Sequence, residues 1–409
     1  MKTVNGFRCI KCTKEWLLTQ AKYVCPSCGN NLDIVYDYSE ISKKISRKDL
    51  QHNTSYNMWR YQHFYPVDNL CDKPALHIGW TPLYKSSHTS NLYIKDDGRN
   101  PSASFKDRAS AIALLDAIYK KSPCIIGAST GNAGSSIACL GASVKMPITI
   151  LVPNSAPQAK LAQLLIFGAT VVPIDGNYDQ AFDLCQEIAV KNNWYNRNTG
   201  YNPYTREGKK SCAFEICEQL NWQVPDWVFV SVGDGNIISG IWKGFYDLYH
   251  CKFIDRLPRL VAVQSSQSNA IFQAFTHYNK TKELSVKETR ATTLADSISV
   301  DIPRDGLAAL KAIIDSQGTS VEVSDQEILQ EIQGIAKEFA VFAEPAGATS
   351  VAGFKKLTAQ NMIKENEKCV CVVTGNGLKD VSSALSVVNR PQPIAPDISK
   401  IEEYIHRRI

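Results

Sequence analysis

An α/β fold built on a largely parallel sheet, covered on both faces, is what the 409-residue sequence predicts. Three observations carry that expectation. Short apolar runs such as "CIIGAS", "PITILVP", "DWVFVSVG" and "CVCVVTG" are apolar on both faces, as buried parallel strands are. They alternate with helix-like segments of about 10–15 residues. Small polar turns follow several of these strands, at the end of the sheet where open α/β folds bind ligands.

The elements follow in order. Residues 1–38 form a separate unit, with Cys9 and Cys12 in "CIKC" and Cys25 and Cys28 in "CPSC". Two such knuckles can close a tetrahedral shell of thiolates around zinc. A ribbon that has lost its metal and a redox pair are the competing readings of the same spacing. Residues 39–78 are polar and rich in Lys, Asn, Tyr and His, and read as a linker plus a helix or two packing on the main body. The main body begins at "GWTPLYKS", and "NLYIKDDGRNP" reads as a strand entering a loop. "ASAIALLDAIY" is a largely buried helix. From residue 124 strands and helices alternate through "TVVPID", "YDQAFDLCQEIAVKN", "NIISGIWKGFYDLY" and "RLVAVQS". The terminal "PQPIAPDISKIEEYIHRRI" reads as a Pro-rich connector and a short charged helix lying along the outside.

Composition narrows the function. The net charge of +5 is mild and no Lys/Arg run tracks a nucleic acid. No apolar run reaches the ~18 residues of a membrane span, and the N-terminus has no stretch suited to a signal peptide. The thirteen cysteines include nine outside the knuckles, several inside apolar segments. Buried thiols in a reducing compartment explain those nine, and the expected location is cytoplasmic.

Four stretches carry the chemistry. In "NPSASFKDRAS", Ser104 and Asp107 have the S-x-x-D spacing of a helix N-cap, which puts Lys106 in the first helical turn. The positive end of the helix dipole lowers the pKa of an amine there, and a neutral amine is what Schiff-base chemistry needs. In "GASTGNAGSS", Ser129, Thr130, Gly131 and Asn132 can offer amides and hydroxyls to a carboxylate. In "SVGDGNIISG", Gly233 and Gly235 let the backbone approach a phosphate just before a helix. The G-x-G-x-x-G spacing fails there, because the third glycine is Gly240. In "VTGNGLKD", Thr374 offers a hydroxyl at a strand end.

Together, "NPSASFKDR", "ASTGNAGSS", "EGKKSCAFEI", "FAEPAGATSVAG" and "TGNGLKD" resemble the motifs of the threonine synthase family, in that family's order over roughly residues 79–385. The resemblance implies a fold-type II pyridoxal-phosphate enzyme, similar to the tryptophan synthase β subunit. It implies two doubly wound domains: 79–120 with 206–389 as the large cofactor-binding domain, and 121–205 as a smaller mobile one. Residues 1–38 would be a zinc ribbon, 39–78 a helical extension and 390–409 a C-terminal extension. Lys106 would carry pyridoxal 5'-phosphate and move protons. Phe105 would support the ring, and Asn132 would meet its phenolic oxygen. Gly233, Asp234, Gly235, Asn236 and Ile237 would hold its phosphate, and Thr374 would face its ring nitrogen. A neutral hydroxyl there moderates the electron sink, which suits elimination and replacement at the β and γ carbons.

The substrate would be an amino acid, with its carboxylate on Ser129, Thr130 and Gly131 and with Ser104 as a further substrate-binding residue. Its phosphate would meet Arg108 and Lys210, with Arg206 and Lys209 as further candidates; Arg108 has a structural alternative in an ion pair with Asp107. The implied reaction turns O-phospho-L-homoserine and water into L-threonine and phosphate. The loop "GDGNIISG" has the length and ending of the serine/threonine dehydratase loop "GGGGLISG", and "ATTLADSISVDIPRDG" departs from the family pattern. A dehydratase, or a cysteate synthase-like enzyme acting on phosphoserine, is therefore the alternative. A homodimer is the expected assembly.

Overall fold

The computed structural model describes residues 3–67, 70–129, 131–154 and 158–407. Thr130, one of the expected substrate residues, lies outside them.

The larger of two main sheets has six strands, in the order Thr319–Val323, Arg259–Ser265, Trp227–Ser231, Cys369–Val373, Leu92–Asp96 and Leu83–Lys85. All pairings are parallel except the last, where Leu83–Lys85 runs antiparallel along the edge. The central strands Trp227–Ser231 and Cys369–Val373 are buried at every position, as strands covered on both faces must be. The second sheet is four-stranded and all parallel, in the order Thr170–Ile174, Ile148–Pro153, Ile125–Ala128 and Tyr195–Asn196. Every run read as a strand forms one. Thr319–Val323, Tyr195–Asn196 and the edge strand Leu83–Lys85 were not foreseen, because "TSVEV", "YN" and "LYK" are too short or too polar to stand out.

Chain order reverses between Trp227–Ser231 and Cys369–Val373, and ligands of open α/β sheets bind at such a switch point. The loops after both strands, with the start of the helix Lys106–Tyr119, meet there. That helix is buried from Asp107 to Ala117, packed against the helices Asn132–Ser143 and Tyr204–Lys209.

The N-terminal unit is a three-stranded antiparallel sheet of Val4–Cys9, Glu15–Trp16 and Leu32–Tyr36. Asn31 ties it to the main body, donating to the Arg304 carbonyl at 2.7 Å and to Asp305 Oδ1 at 2.8 Å. The Tyr36 hydroxyl donates to Glu207 at 2.5 Å.

The helices expected within residues 39–78 pack on the main body and reach its core. The helices Tyr38–Ser42 and Arg47–His52 and the 3₁₀ segment Met58–Phe64 bury Ile41, Leu50, Met58, Tyr61 and Phe64. Polar residues between the aromatics of "YNMWRYQHFY" hide that burial in the sequence. At the other end, the helix Ile398–His406 buries no residue, and Ile398, Ile401 and Ile405 are exposed.

Candidate active site

The chain enters the Lys106 helix through Ala103, whose φ of 61° lies in the left-handed region. That conformation costs a non-glycine residue roughly 1 kcal/mol, and the surroundings hold it in place. The Asn376 amide donates to the Ala103 carbonyl at 3.1 Å and the Phe105 amide to the Thr374 carbonyl at 2.9 Å, while Ser104 bridges Gly375. The lysine turn and the loop after the last strand are thus one unit.

The S-x-x-D box does not form, because the helix begins at Lys106 and Ser104 comes one residue too early to cap it. The Asp107 carboxylate instead accepts from the Ser102 amide at 2.7 Å and hydroxyl at 2.5 Å. Burial holds the Lys106 amine below the usual lysine range, with Asp234 and Glu344 opposing that shift and Arg197 reinforcing it. Desolvation is the leading cause, in an amine that stands, as expected, in the first helical turn. Lys106 Nζ has no hydrogen-bond or ion-pair partner among the described residues.

Lys106 stands where two cavities meet. The first is a narrow slot lined by Phe105, Lys106, Asn132, residues 233–237, Ser297, Glu344 and Thr374. The amides of Gly233, Asp234, Gly235, Asn236 and Ile237 find no acceptor among the described residues, so they form a nest that opens the helix Asn236–His250. Gly235 has φ 91°, and a Cβ there would come within 2.7 Å of Ala309 and 2.8 Å of the Asp305 carbonyl, so this turn admits only glycine. Asn236 is gripped from both sides: Lys209 Nζ donates to its Oδ1, and its Nδ2 donates to Asp305 at 2.7 Å.

Across the slot, Asn132 Nδ2 donates to Glu344 at 2.7 Å and Ser297 at 3.2 Å, leaving Oδ1 buried and unpartnered. Burial raises the Glu344 carboxyl above its ordinary range. A protonated Glu344 could donate to Oδ1 in the reverse amide orientation, which would turn the Asn132 donors toward the slot. The second cavity, about 320 Å³, adds Ser129, Gly131, Tyr178, Arg197 and Thr199 around Lys106 and Asp234. Ser129 Oγ accepts from the Gly131 and Gly134 amides at 3.2 and 2.9 Å.

A family model described as pyridoxal-phosphate dependent enzyme matches residues 74–375. A threonine synthase of Methanocaldococcus jannaschii is 36% identical over 97% of this chain and 98% of its own. The chain belongs to the pyridoxal-phosphate-dependent enzymes, in the threonine synthase family. A family member from Halalkalibacterium halodurans is 36% identical over 83% of this chain and 96% of its own. Among solved structures, the processed form of threonine deaminase isoform 2 from Solanum lycopersicum superposes with a TM-score of 0.64 at 20% identity, covering 86% of this chain and 95% of that one. A pyridoxal 5'-phosphate-dependent aspartate racemase gives 0.65 at 18%, covering 84% and 99%. These two share the fold-type II architecture.

The slot fits the family's cofactor. Its floor is a nest of unpaired amides suited to a phosphate, its wall carries an unpartnered amine, and its rim holds an orphaned amide oxygen and the Thr374 hydroxyl.

Three expected residues of this threonine synthase family member fall elsewhere. Arg108 does not reach either cavity. Two residues after Lys106, it points about 200° round the helix, where Asp97 at 2.6 Å and Glu215 at 2.5 Å take its guanidinium. Its partner is therefore not Asp107 either. Lys210 is fully buried between Asp247 at 2.6 Å and Glu207 at 2.7 Å. Ser104 is buried 3.5 Å from the Ser102 hydroxyl, outside both linings. Of the further candidates, Arg206 is held by Asp305 at 2.6 Å and Asp33 at 3.2 Å. Sequence reading missed roles for Glu344, Ser297 and Arg197. Glu344 lies inside a recognised motif, "FAEPAGATSVAG", and Ser297 inside the divergent "ATTLADSISVDIPRDG"; Arg197, in "YNRNTG", carried no signal.

The four knuckle sulfurs lie within 4.8 Å of one another, with Cys9–Cys28 at 3.4 Å and Cys12–Cys25 at 3.6 Å. Zn–S bonds of about 2.3 Å set tetrahedral S–S edges of about 3.8 Å, so the cluster can hold a metal ion.

Proposed function

We propose that this enzyme is a threonine synthase, converting O-phospho-L-homoserine and water to L-threonine and phosphate. Near full-length likeness to proteins of that name supports the reading. The observation that carries it is the unpartnered Lys106 amine at the shared wall of the amide nest and the second cavity. Residues 233–237 would bind the cofactor phosphate, Phe105 and Asn132 its ring, and Thr374 its ring nitrogen. Bound pyridoxal phosphate supplies an electron sink for charge developing at the substrate α-carbon.

Lys106 Nζ then takes the α-proton and next a β-proton. The Cγ–O bond breaks and phosphate leaves with the electron pair. A proton returns to Cγ, water adds its hydroxyl at Cβ, and Cα regains a proton. The amides and hydroxyl of the Ser129–Asn132 turn hold the carboxylate and so fix which Cα bond faces Lys106. Elements from 121–205 form one wall of the second cavity, and we take that unit to move as substrate enters.

The test is phosphate release from O-phospho-L-homoserine by the holoenzyme, compared with phosphoserine, and keto-acid release from threonine and serine. The reading requires the first to exceed the others; dominant keto-acid release would overturn it in favour of the dehydratase suggested by "GDGNIISG".

We assign zinc to Cys9, Cys12, Cys25 and Cys28 as a structural ion. Metal analysis should find about one zinc per chain, lost in Cys12→Ser, and protein prepared without chelator but lacking zinc would refute the assignment. We also take the enzyme to be a cytoplasmic homodimer. The free, buried Cys185, Cys212, Cys217 and Cys371 suit a reducing compartment, and light scattering would settle the assembly.

A further inference from the structure

Among the described residues four arginines are buried: Arg60, Arg108, Arg197 and Arg206. Three have carboxylate partners, in Glu218 for Arg60, Asp97 and Glu215 for Arg108, and Asp33 and Asp305 for Arg206. Arg197 has none among the described residues. It is 1% exposed, its Nη1 donates to Thr199 Oγ1 and its Nη2 to Ser110 Oγ, both at a long 3.3 Å, and its Nε is unpartnered. A buried guanidinium without a counter-charge is costly unless an anion arrives to complete it.

Its position says where that anion comes from. Arg197 follows the strand Tyr195–Asn196 and lines the second cavity with Lys106. Ser110, which it contacts, lies four residues after Lys106 and so on the same helix face. A Cβ on Gly127 would come within 3.0 Å of Arg197 Cδ, so the glycine in "CIIGAS" leaves the room its stem occupies. The acidic groups around the cavity do not neutralise it. Asp179 is paired with Arg304 and Asp296 with Lys160, while Asp301 accepts from the Ala291 amide at 2.7 Å. Burial favours the protonated form of Asp234.

We infer that Arg197 is the specificity residue for the anionic end of the substrate side chain, gripping a phosphoryl group by its planar fork while the carboxylate rests beside Ser129 and Asn132. This replaces Arg108 and Lys210 in that role and rests on the proposed reaction for the identity of the phosphoryl group. An amino acid with an uncharged side chain gains nothing from Arg197 and leaves it unpaired, so the residue selects for phosphorylated substrates.

The experiment uses holoenzyme, wild type and the variants Arg197→Gln and Arg197→Lys. Binding of 2-amino-5-phosphonopentanoate and of L-norvaline, which lacks only the phosphonate, is read from the cofactor absorbance, and thermal melting is recorded without ligand. Arg197→Gln should weaken phosphonate binding by about 10- to 100-fold and leave norvaline within about 3-fold, since only the charge-assisted bonds are lost. Arg197→Lys should restore part of the loss. Melting of Arg197→Gln should not fall, because no ion pair is broken. Phosphonate affinity unchanged within about 3-fold, or equal losses for both ligands, would overturn the inference; if Arg197→Gln does not fold, full phosphonate affinity in Arg197→Lys, where the fork is gone, would do so. The two readings separate cleanly. Wild type that binds the phosphonate through Arg197 but does not turn over O-phospho-L-homoserine removes the proposed reaction alone. Turnover with an unchanged KM in Arg197→Gln removes the anchor alone.

Discussion

The two faces of the Lys106–Tyr119 helix treat buried cations in opposite ways. Away from the cavities, Arg108 is locked between Asp97 and Glu215, with Lys210 held in the same manner by Asp247 and Glu207 in the neighbouring helices. On the cavity side, Lys106 has no partner and Arg197 has only two long bonds to hydroxyls. The first pattern is architecture: charges buried with their counter-charges join helices that would otherwise meet only through apolar contacts. The second is the pattern a binding site needs, in which charge is left uncompensated where a ligand can compensate it.

The sharpest way to break this contrast is Lys106→Ala. Turnover should fall by roughly 10³-fold or more, because the Lys106 amine is the proposed carrier of the protons and no other described amine lines both cavities. Its melting temperature should stay near wild type. A large loss of stability would place Lys106 with the architectural cations instead.

Arg108→Met should do the reverse. Breaking a buried pair leaves Asp97 and Glu215 uncompensated, at a cost of about 3–5 kcal/mol in chemical denaturation. Turnover per folded molecule should change little. If the variant instead loses turnover at full stability, Arg108 belongs to the site.

Acid titration sharpens the same pair. Arg108 and then Lys95 hold the Glu215 carboxyl at about 2, against an ordinary 4.5, despite the opposing effect of burial. A folded-state pKa below the unfolded one supplies stability above about pH 4.5 that is lost as pH falls toward 2. The contribution is of order 3 kcal/mol. Denaturation midpoints measured from pH 5.5 to 3 should therefore fall less steeply in Glu215→Gln than in wild type; equal slopes would mean that Glu215 is not the anion of the pair.

The smallest effect concerns the ribbon. Asn31 is its link to Asp305, which in turn holds Asn236 of the amide nest. Asn31→Ala should cost about 1–2 kcal/mol and weaken cofactor retention slightly, read by equilibrium dialysis. No change in either would mean that the ribbon only covers the main body.

Much of this was legible in the residues themselves. Period and composition marked seven strands of the two main sheets, most of them apolar because they are buried on both faces, with Thr170–Ile174 apolar though largely exposed. The cysteine spacing marked the ribbon. Glycines at 233 and 235 and the small polar turn at 129–132 marked a site, because only such residues let backbone amides face a ligand. The strand "TSVEV" stayed hidden because three of its five side chains are polar, and the core role of 56–65 because polar residues interrupt its aromatics.

What the sequence could not determine was the fate of each charge. Arg108, Arg197, Lys209 and Lys210 are equally cationic in the sequence, and motif position singled out Arg108 and Lys210, which the structure places in buried ion pairs. Whether a buried cation is structural or functional depends on the carboxylates within about 4 Å of it, and those come from far along the chain: Asp97 and Glu215 reach Arg108, and none reaches Arg197. Coulombic pairing acts through space at ångström range, so only the tertiary structure, by bringing residues 97, 108 and 215 together and leaving 197 beside an open cavity, decided it.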